Sequence, residues 1–311
     1  MGESDNEREL PFQNSSPAAE WDQDLARRAL DELFRLAGEY KTTAEYHELL
    51  KFISRFRFYS LYNAMLVHVQ MPGAQYVAPP HRWLGQYRRR IKPGASPLVI
   101  LQPMGPVMFV YDVSDTDPED GAPPLPPEIE RPFEVRAGQV RGELWDTIEN
   151  AKRDGVEITE REAGSQNAGE IREADGKRDV EIMVRQRPPV YASVPVRYEL
   201  LLNSRHSTEA KYATLAHELG HLYCGHLGTP NEKWWPDRRG LNPELCEFEA
   251  ESVSYLVCTR LGIDTPSAAY LSGYLEHHEK TPGISLECVV KTAGLIEQMG
   301  RGRLGLRRER R

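Results

Sequence analysis

The chain has 311 residues, 40% hydrophobic and 28% charged, with a formal net charge of -8 at pH 7. That length supports two modest cores and that balance is ordinary for a globular protein, while the acidic total excludes a chain coated uniformly in basic residues. No apolar run approaches the roughly 18 residues of a membrane span, and the four cysteines, Cys224, Cys246, Cys258 and Cys288, form neither a CxxC pair nor a dense disulfide framework.

Residues 1–20 are polar, with little to bury, and are expected to be a disordered tail. MGESDNERELPF lacks the basic and then apolar layout of a secretory signal, so a cytoplasmic protein is expected. From Trp21 onward the spacing changes. Leu25, Ala29, Leu33 and Leu36 recur at helical intervals and predict a helix over Leu25–Ala37. Two more helices are predicted over Ala44–Phe56 and Tyr59–Val69, the last ending before Pro72-Gly73. The β-rich stretches Pro97–Leu101 and Pro106–Val113 complete a small α+β unit over 21–113.

Inside that unit, residues 51–92 hold eight basic side chains, Lys51, Arg55, Arg57, Arg82, Arg88, Arg89, Arg90 and Lys92, and no Asp or Glu. The window is therefore +8 in a chain of -8. Aromatics are interleaved, Tyr62, Trp83 and Tyr87 among them. Cations beside ring faces are what single-stranded nucleic acid requires, since phosphates need charge and unpaired bases need a surface to stack on. Arg55, Arg57, Tyr62, Trp83, Tyr87, Arg88, Arg89, Arg90 and Lys92 are the candidate DNA contacts. The bland alternative puts the rings in a core and the arginines on a solvated face. FYSLYNAMLVHVQMPGAQYVAPPHRWLGQYRRRIKPGASPLVIL resembles the N-terminal domain of ArdC-type antirestriction proteins. The resemblance implies a single-stranded DNA-binding domain placed ahead of a zincin-like domain.

Ser114–Pro132, SDTDPEDGAPPLPPEIERP, is rich in proline and acids and is expected to be a semi-extended linker. Beyond it, a second domain is expected over 133–300, followed by a basic tail over 301–311 that has little to bury. A helix is predicted over Glu143–Arg153 and strands over Val156–Arg161, Glu170–Arg172, Val180–Val184 and Arg197–Leu202. The Asp-Gly of EADGKRD reads as a hairpin turn between two of these strands. Ser207 can cap a helix running to about Leu227, with Glu209 in its first turn.

That helix carries TLAHELGHLYCGH, Thr214–His226. Positions i and i+4 share one helix face, so His217 and His221 can grip one ion while Glu218 points at its open position. Shuffling this composition produces such a pattern only about 0.04 times per chain. A second helix follows, with Asn242 as N-cap, Pro243 at its first position and Gly262 as terminator. Glu247, Glu251, Ser254 and Cys258 fall on one of its stripes. Acids on an otherwise apolar helix are costly to bury unless paired or bound to a cation. Glu247 is thus the expected third ligand, and Glu251, one turn on, is placed to orient a liganding histidine through its second nitrogen. Glu249 lies on a different side and is expected to face solvent or form a salt bridge. Cys224 or Cys246 would be needed to close a purely structural site. Tyr223, His226 and Tyr255 are candidate oxyanion donors that spacing does not rank.

ELLLNSRHSTEAKYATLAHELGHL, followed by the EFEAE of the next helix, resembles the ImmA/IrrE family of metallopeptidases. The resemblance implies Zn2+ held by His217, His221 and Glu247, Glu218 as catalytic base, and a protein substrate such as a transcriptional repressor. Departures are at Glu251, where that family usually has Asn or Asp, and in SVSYLVCTRLG, which replaces its Phe-Ala and Leu-Leu-Met-Pro continuation. The expected fold class is α+β in two domains, a small N-terminal α+β domain and a zincin-like domain with a short sheet and the HExxH helix. The expected activity is that of an intracellular zinc metalloendopeptidase bearing a DNA-binding module, with no membrane partner. Its rival is an ArdC-type protein that coats single-stranded DNA and whose metal domain is structural or regulatory. Two histidines and a carboxylate also accept Mn or Co.

Overall fold

A capping box opens the first described helix, α1 (Thr43–Arg55): the Thr42 hydroxyl accepts from the Glu45 amide while the Glu45 carboxylate accepts from the Thr42 amide, at 3.2 Å each. Two donors that a helix start leaves unpaired are thereby satisfied. The computed structural model describes residues 42–57, 59–102, 105–126, 129, 138–162, 169–277 and 283–307. The tail expected over 1–20 and the helix expected over 25–37 lie outside the described residues.

Ser60 caps α2 (Leu61–Gln70) through the Asn63 amide. After β1 (Val77–Ala78) comes α3 (Pro80–Tyr87), with proline at its first position. The sequence does not announce α3, because eight residues hold too few turns for a helical period to stand out. β2 (Arg89–Ile91), β3 (Leu98–Gln102), β4 (Gly105–Asp112) and β5 (Thr116–Pro118) follow. β1, β4 and β3 form an antiparallel sheet in that order, and β2 pairs antiparallel with β5. Within the expected linker, therefore, Thr116–Pro118 are in a strand pair, and Ile129 is buried against Tyr76, Ala78, Trp83 and Tyr87.

The remainder runs α4 (Glu143–Lys152), β6 (Val156–Arg161), β7 (Gly169–Glu173), β8 (Asp179–Gln186), β9 (Pro189–Pro195), β10 (Tyr198–Asn203), α5 (Thr208–Tyr223), α6 (Pro243–Leu261), α7 (Pro266–His277) and α8 (Leu286–Arg301). β10 is the middle strand of a three-stranded sheet, parallel to β6 and antiparallel to β7. β8 and β9 make a separate antiparallel ribbon. Asp175-Gly176 thus carries the chain from one sheet to another instead of closing a hairpin between paired strands. β9 escaped the sequence reading because prolines begin and end it. Both stand at the ends of the strand, where proline is tolerated. Helices and several small sheets place the chain in the α+β class.

One core cluster joins Leu49, Leu50 and Phe52 of α1 to Leu215 and Leu219 of α5, Val253 and Leu256 of α6, and Ile296 and Met299 of α8. Arg260 of α6 reinforces that junction. Its guanidinium is buried, donates to the carbonyls of Ile53, Phe56 and Tyr59, and pairs with Glu297. A helix end leaves its last carbonyls without internal partners, so a side chain some 200 residues away caps α1. The basic C-terminal segment is also tied down in part: the Leu304 amide donates to Asn150 and Arg307 pairs with Asp154, each at 2.8 Å.

Candidate metal centre

The centre is built where α5 and α6 touch. Ser207 caps α5 through the Ala210 amide, and α6 starts with Asn242 and Pro243 and stops at Gly262, whose φ of 81° is left-handed. Gly220 of α5 faces Ala250 of α6 so closely that an added Cβ would lie 3.1 Å from the Ala250 Cα and 3.4 Å from the Val253 Cβ. Small residues at the crossing let the backbones approach. Glu247, one turn before Ala250, then reaches the two motif histidines.

His217 Nε2 lies 3.1 Å from His221 Nε2, and the Glu247 carboxylate is 3.5 Å from each. Four donors at about 2.0–2.1 Å from a tetrahedral zinc sit about 3.3 Å apart, so this spacing fits one ion. Two imidazole nitrogens and a carboxylate converging on one point need either shared protons or a cation between them, which is the chemistry of a ligand set. Glu247 is half exposed, which leaves one side open to solvent. Among the described residues, no fourth His, Cys, Asp or Glu joins this trio. Cys224 is buried elsewhere, its thiol donating to Thr292.

The electrostatics follow the geometry. Hydrogen bonding from His217 and His221 holds the Glu247 carboxyl well below the usual carboxylate range. Burial pulls the His217 imidazole down, but Glu247, Glu251 and Glu218 outweigh it, and its pKa is raised. Burial raises the Glu218 carboxyl, against the opposing pull of the two histidines. Glu218 Oε2 accepts from the Ile171 amide of β7 at 3.0 Å. Beside it lies a cavity of about 290 Å³ lined by His206, Thr214, His217, Glu218, Glu251 and Ser254, among others. Glu251 Oε1 is 3.6 Å from His217 Nδ1, an electrostatic contact rather than a hydrogen bond.

Of the three oxyanion candidates, Tyr223 donates to Asp154 in the interior and Tyr255 is buried beside the His47 ring. His226 is engaged by His221 and Glu249. Glu249 forms the expected salt bridge, with Arg238, but at 0% exposure it faces no solvent. His226 follows Gly225, whose φ of 85° is left-handed, and its amide donates to the His221 carbonyl at 3.0 Å.

The nine candidate DNA contacts lie elsewhere and are largely engaged. Trp83 and Tyr87 are 0% and 5% exposed, so their faces meet Tyr76 and each other rather than solvent. Tyr62 is half-buried against the main core. Arg55 lies over the Phe52 ring and Arg57 donates to the Thr259 carbonyl. Arg88 donates to Gly121, Arg89 to Thr116, Arg90 pairs with Glu119, and Lys92 reaches Ser114 and Asp117. The contacts of Arg88, Arg90 and Lys92 with the acid-rich stretch after β4 are surface ones, and these three side chains remain exposed.

No helix among the described residues is long and apolar enough to cross a membrane. No curated protein and no solved structure matches the chain. Residues 152–260, a stretch that holds α5 and all but the last residue of α6, match the Peptidase M78 family model, described as an IrrE N-terminal-like domain. That segment is therefore similar to metal-dependent peptidases, which supports a metallopeptidase-type function with a protein substrate.

Proposed function

We propose that the chain is a zinc-dependent metalloendopeptidase, with His217, His221 and Glu247 as ligands and Glu218 as the proton-transferring base. The observation that carries this reading is the convergence of the two Nε2 atoms and one carboxylate at 3.1–3.5 Å, with a solvent-open side next to a cavity. Bound zinc supplies Lewis acidity, which makes water acidic enough to lose a proton near neutral pH and polarises a carbonyl. The Ile171 amide fixes Glu218 Oε2, which leaves Oε1 to take the proton of the attacking water and pass it to the departing amine. Glu251 lies 3.6 Å from His217 Nδ1, the ring nitrogen that ligation through Nε2 leaves free.

Elemental analysis of the purified chain, run beside cleavage of an unstructured protein, tests the reading. The expected result is about one zinc per chain, with both metal and cleavage lost in Glu247→Ala. A Glu247→Ala protein that keeps its zinc and still cleaves would sink it.

A further inference from the structure

Behind the liganding edge of His221 lies a second, deeper set of polar side chains. Gly225 starts it. Its φ is 85°, and an added Cβ would lie 2.1 Å from the Pro236 carbonyl oxygen, so only glycine fits this turn. The His226 amide then donates to the His221 carbonyl at 3.0 Å, and the two rings meet at 5.2 Å, nearly edge to face. His221 Nδ1 and His226 Nδ1 are 3.0 Å apart. His226 Nε2 is 2.9 Å from Glu249 Oε2. Glu249, fully buried, accepts in addition from Arg238 Nη1 and Nη2 at 2.6 and 2.8 Å and from the Ser285 amide at 2.7 Å.

We infer that His226, backed by Glu249 and Arg238, is a positioning residue that fixes the tautomer and ring orientation of His221 for metal binding. The inference rests on the proposed centre and extends it inward. Two facing Nδ1 atoms need one donor and one acceptor, and a neutral imidazole has one of each. If His226 donated, its Nε2 would turn a lone pair on the Glu249 carboxylate, and His221 would carry its proton on Nε2, where Glu247 and His217 converge. The opposite assignment satisfies every contact. His221 donates from Nδ1, His226 accepts at Nδ1 and donates from Nε2, and His221 Nε2 presents a lone pair to the metal position. An outer hydrogen bond of this kind fixes the ring and raises its basicity as a ligand.

The buried charge is compensated as well. An isolated carboxylate at 0% exposure would be prohibitive, and the bidentate Arg238 with the Ser285 amide removes that cost. Cys224, His226 and Glu249 also lie close enough to one another to suggest a second cation site. Their atoms are already committed to Thr292, His221, Arg238 and Ser285, which favours the relay.

Two measurements on the full chain test it. In the zinc-loaded wild type with nitrogen-15 histidine labels, His221 is expected to carry its proton on Nδ1 and His226 on Nε2; the reverse pair of tautomers overturns the relay. Zinc affinity, from competition with a chromophoric chelator, gives the second. His226→Leu is expected to weaken binding by roughly 10- to 100-fold. His226→Gln, whose carbonyl can accept from His221 and whose amide can donate to Glu249, is expected to restore most of it. A folded His226→Leu that binds zinc as tightly as wild type overturns the relay. So does a second bound zinc that Cys224→Ser removes. Should the leucine variant fail to fold, the wild-type tautomers decide. His221→Ala separates the two proposals. If it binds zinc like wild type, the centre itself falls. If it loses zinc while His226→Leu does not, only the relay falls.

Discussion

Glu218→Gln separates proton transfer from metal binding. Glutamine has the same shape, and its side-chain carbonyl can still accept from the Ile171 amide, which holds Glu218 Oε2 at 3.0 Å. What it lacks is basicity, so Oε1 can no longer take a proton from water. General acid–base catalysis contributes about 10²- to 10⁴-fold, or about 3–5 kcal/mol of barrier at 1.36 kcal/mol per decade. Cleavage of a quenched fluorescent peptide under single-turnover conditions should slow by that factor. Zinc content should hold, because the oxygens of Glu218 are not among the converging donors. The zinc-free protein offers a separate check. The folded Glu218 pKa is raised by burial, so the folded state binds the proton more tightly and stability is lost as pH climbs past the usual carboxylate value. The neutral glutamine removes that loss, so the variant should melt no lower than wild type at pH 7, with the gap closing in acid. Activity within tenfold of wild type, or zinc lost along with activity, would refute the assignment.

Trp83→Ala should act on stability. The ring is fully buried, packs on Tyr76 and Tyr87 at centroid distances of 5.6 and 5.3 Å, and donates from Nε1 to Tyr111. Truncating such a side chain costs about 3–5 kcal/mol, which urea titration measures; a change below about 1 kcal/mol would show that the ring is not in a core. His68 predicts acid sensitivity. Burial, helped by Arg55, lowers its pKa from 6.5 to about 4. The unfolded chain therefore takes the proton first as pH falls, and up to about 3 kcal/mol of stability is lost between about pH 6.5 and 4. In His68→Leu, urea midpoints should fall less steeply over that range, and an unchanged slope would point to other groups.

The legible parts of this chain are those in which neighbours in sequence are neighbours in space. Ser207, Asn242, Pro243 and Gly262 mark helix ends because caps satisfy local backbone groups. His217 and His221 share a face because 3.6 residues make a turn. Glu249 was harder. Its periodic position says that it differs from Glu247, but its burial comes from Arg238, His226 and Ser285, which are 11, 23 and 36 residues away and on other segments. The aromatic and basic window was harder still, since composition counts rings and cations and is silent on which way they point. Trp83 and Tyr87 turn inward on α3, and the arginines meet carbonyls and acids supplied by 112–121.

By itself, then, the order of residues determined where α5 and α6 begin and which side chains each presents along a face, because those outcomes depend on backbone geometry within a few turns. Tertiary packing alone decided that Gly220 would meet Ala250, that Glu247 would come to 3.5 Å from both imidazoles, and that His226 would sit between His221 and a buried carboxylate. Those distances depend on how closely separate helices approach, and that is set by the volumes of all the side chains between them.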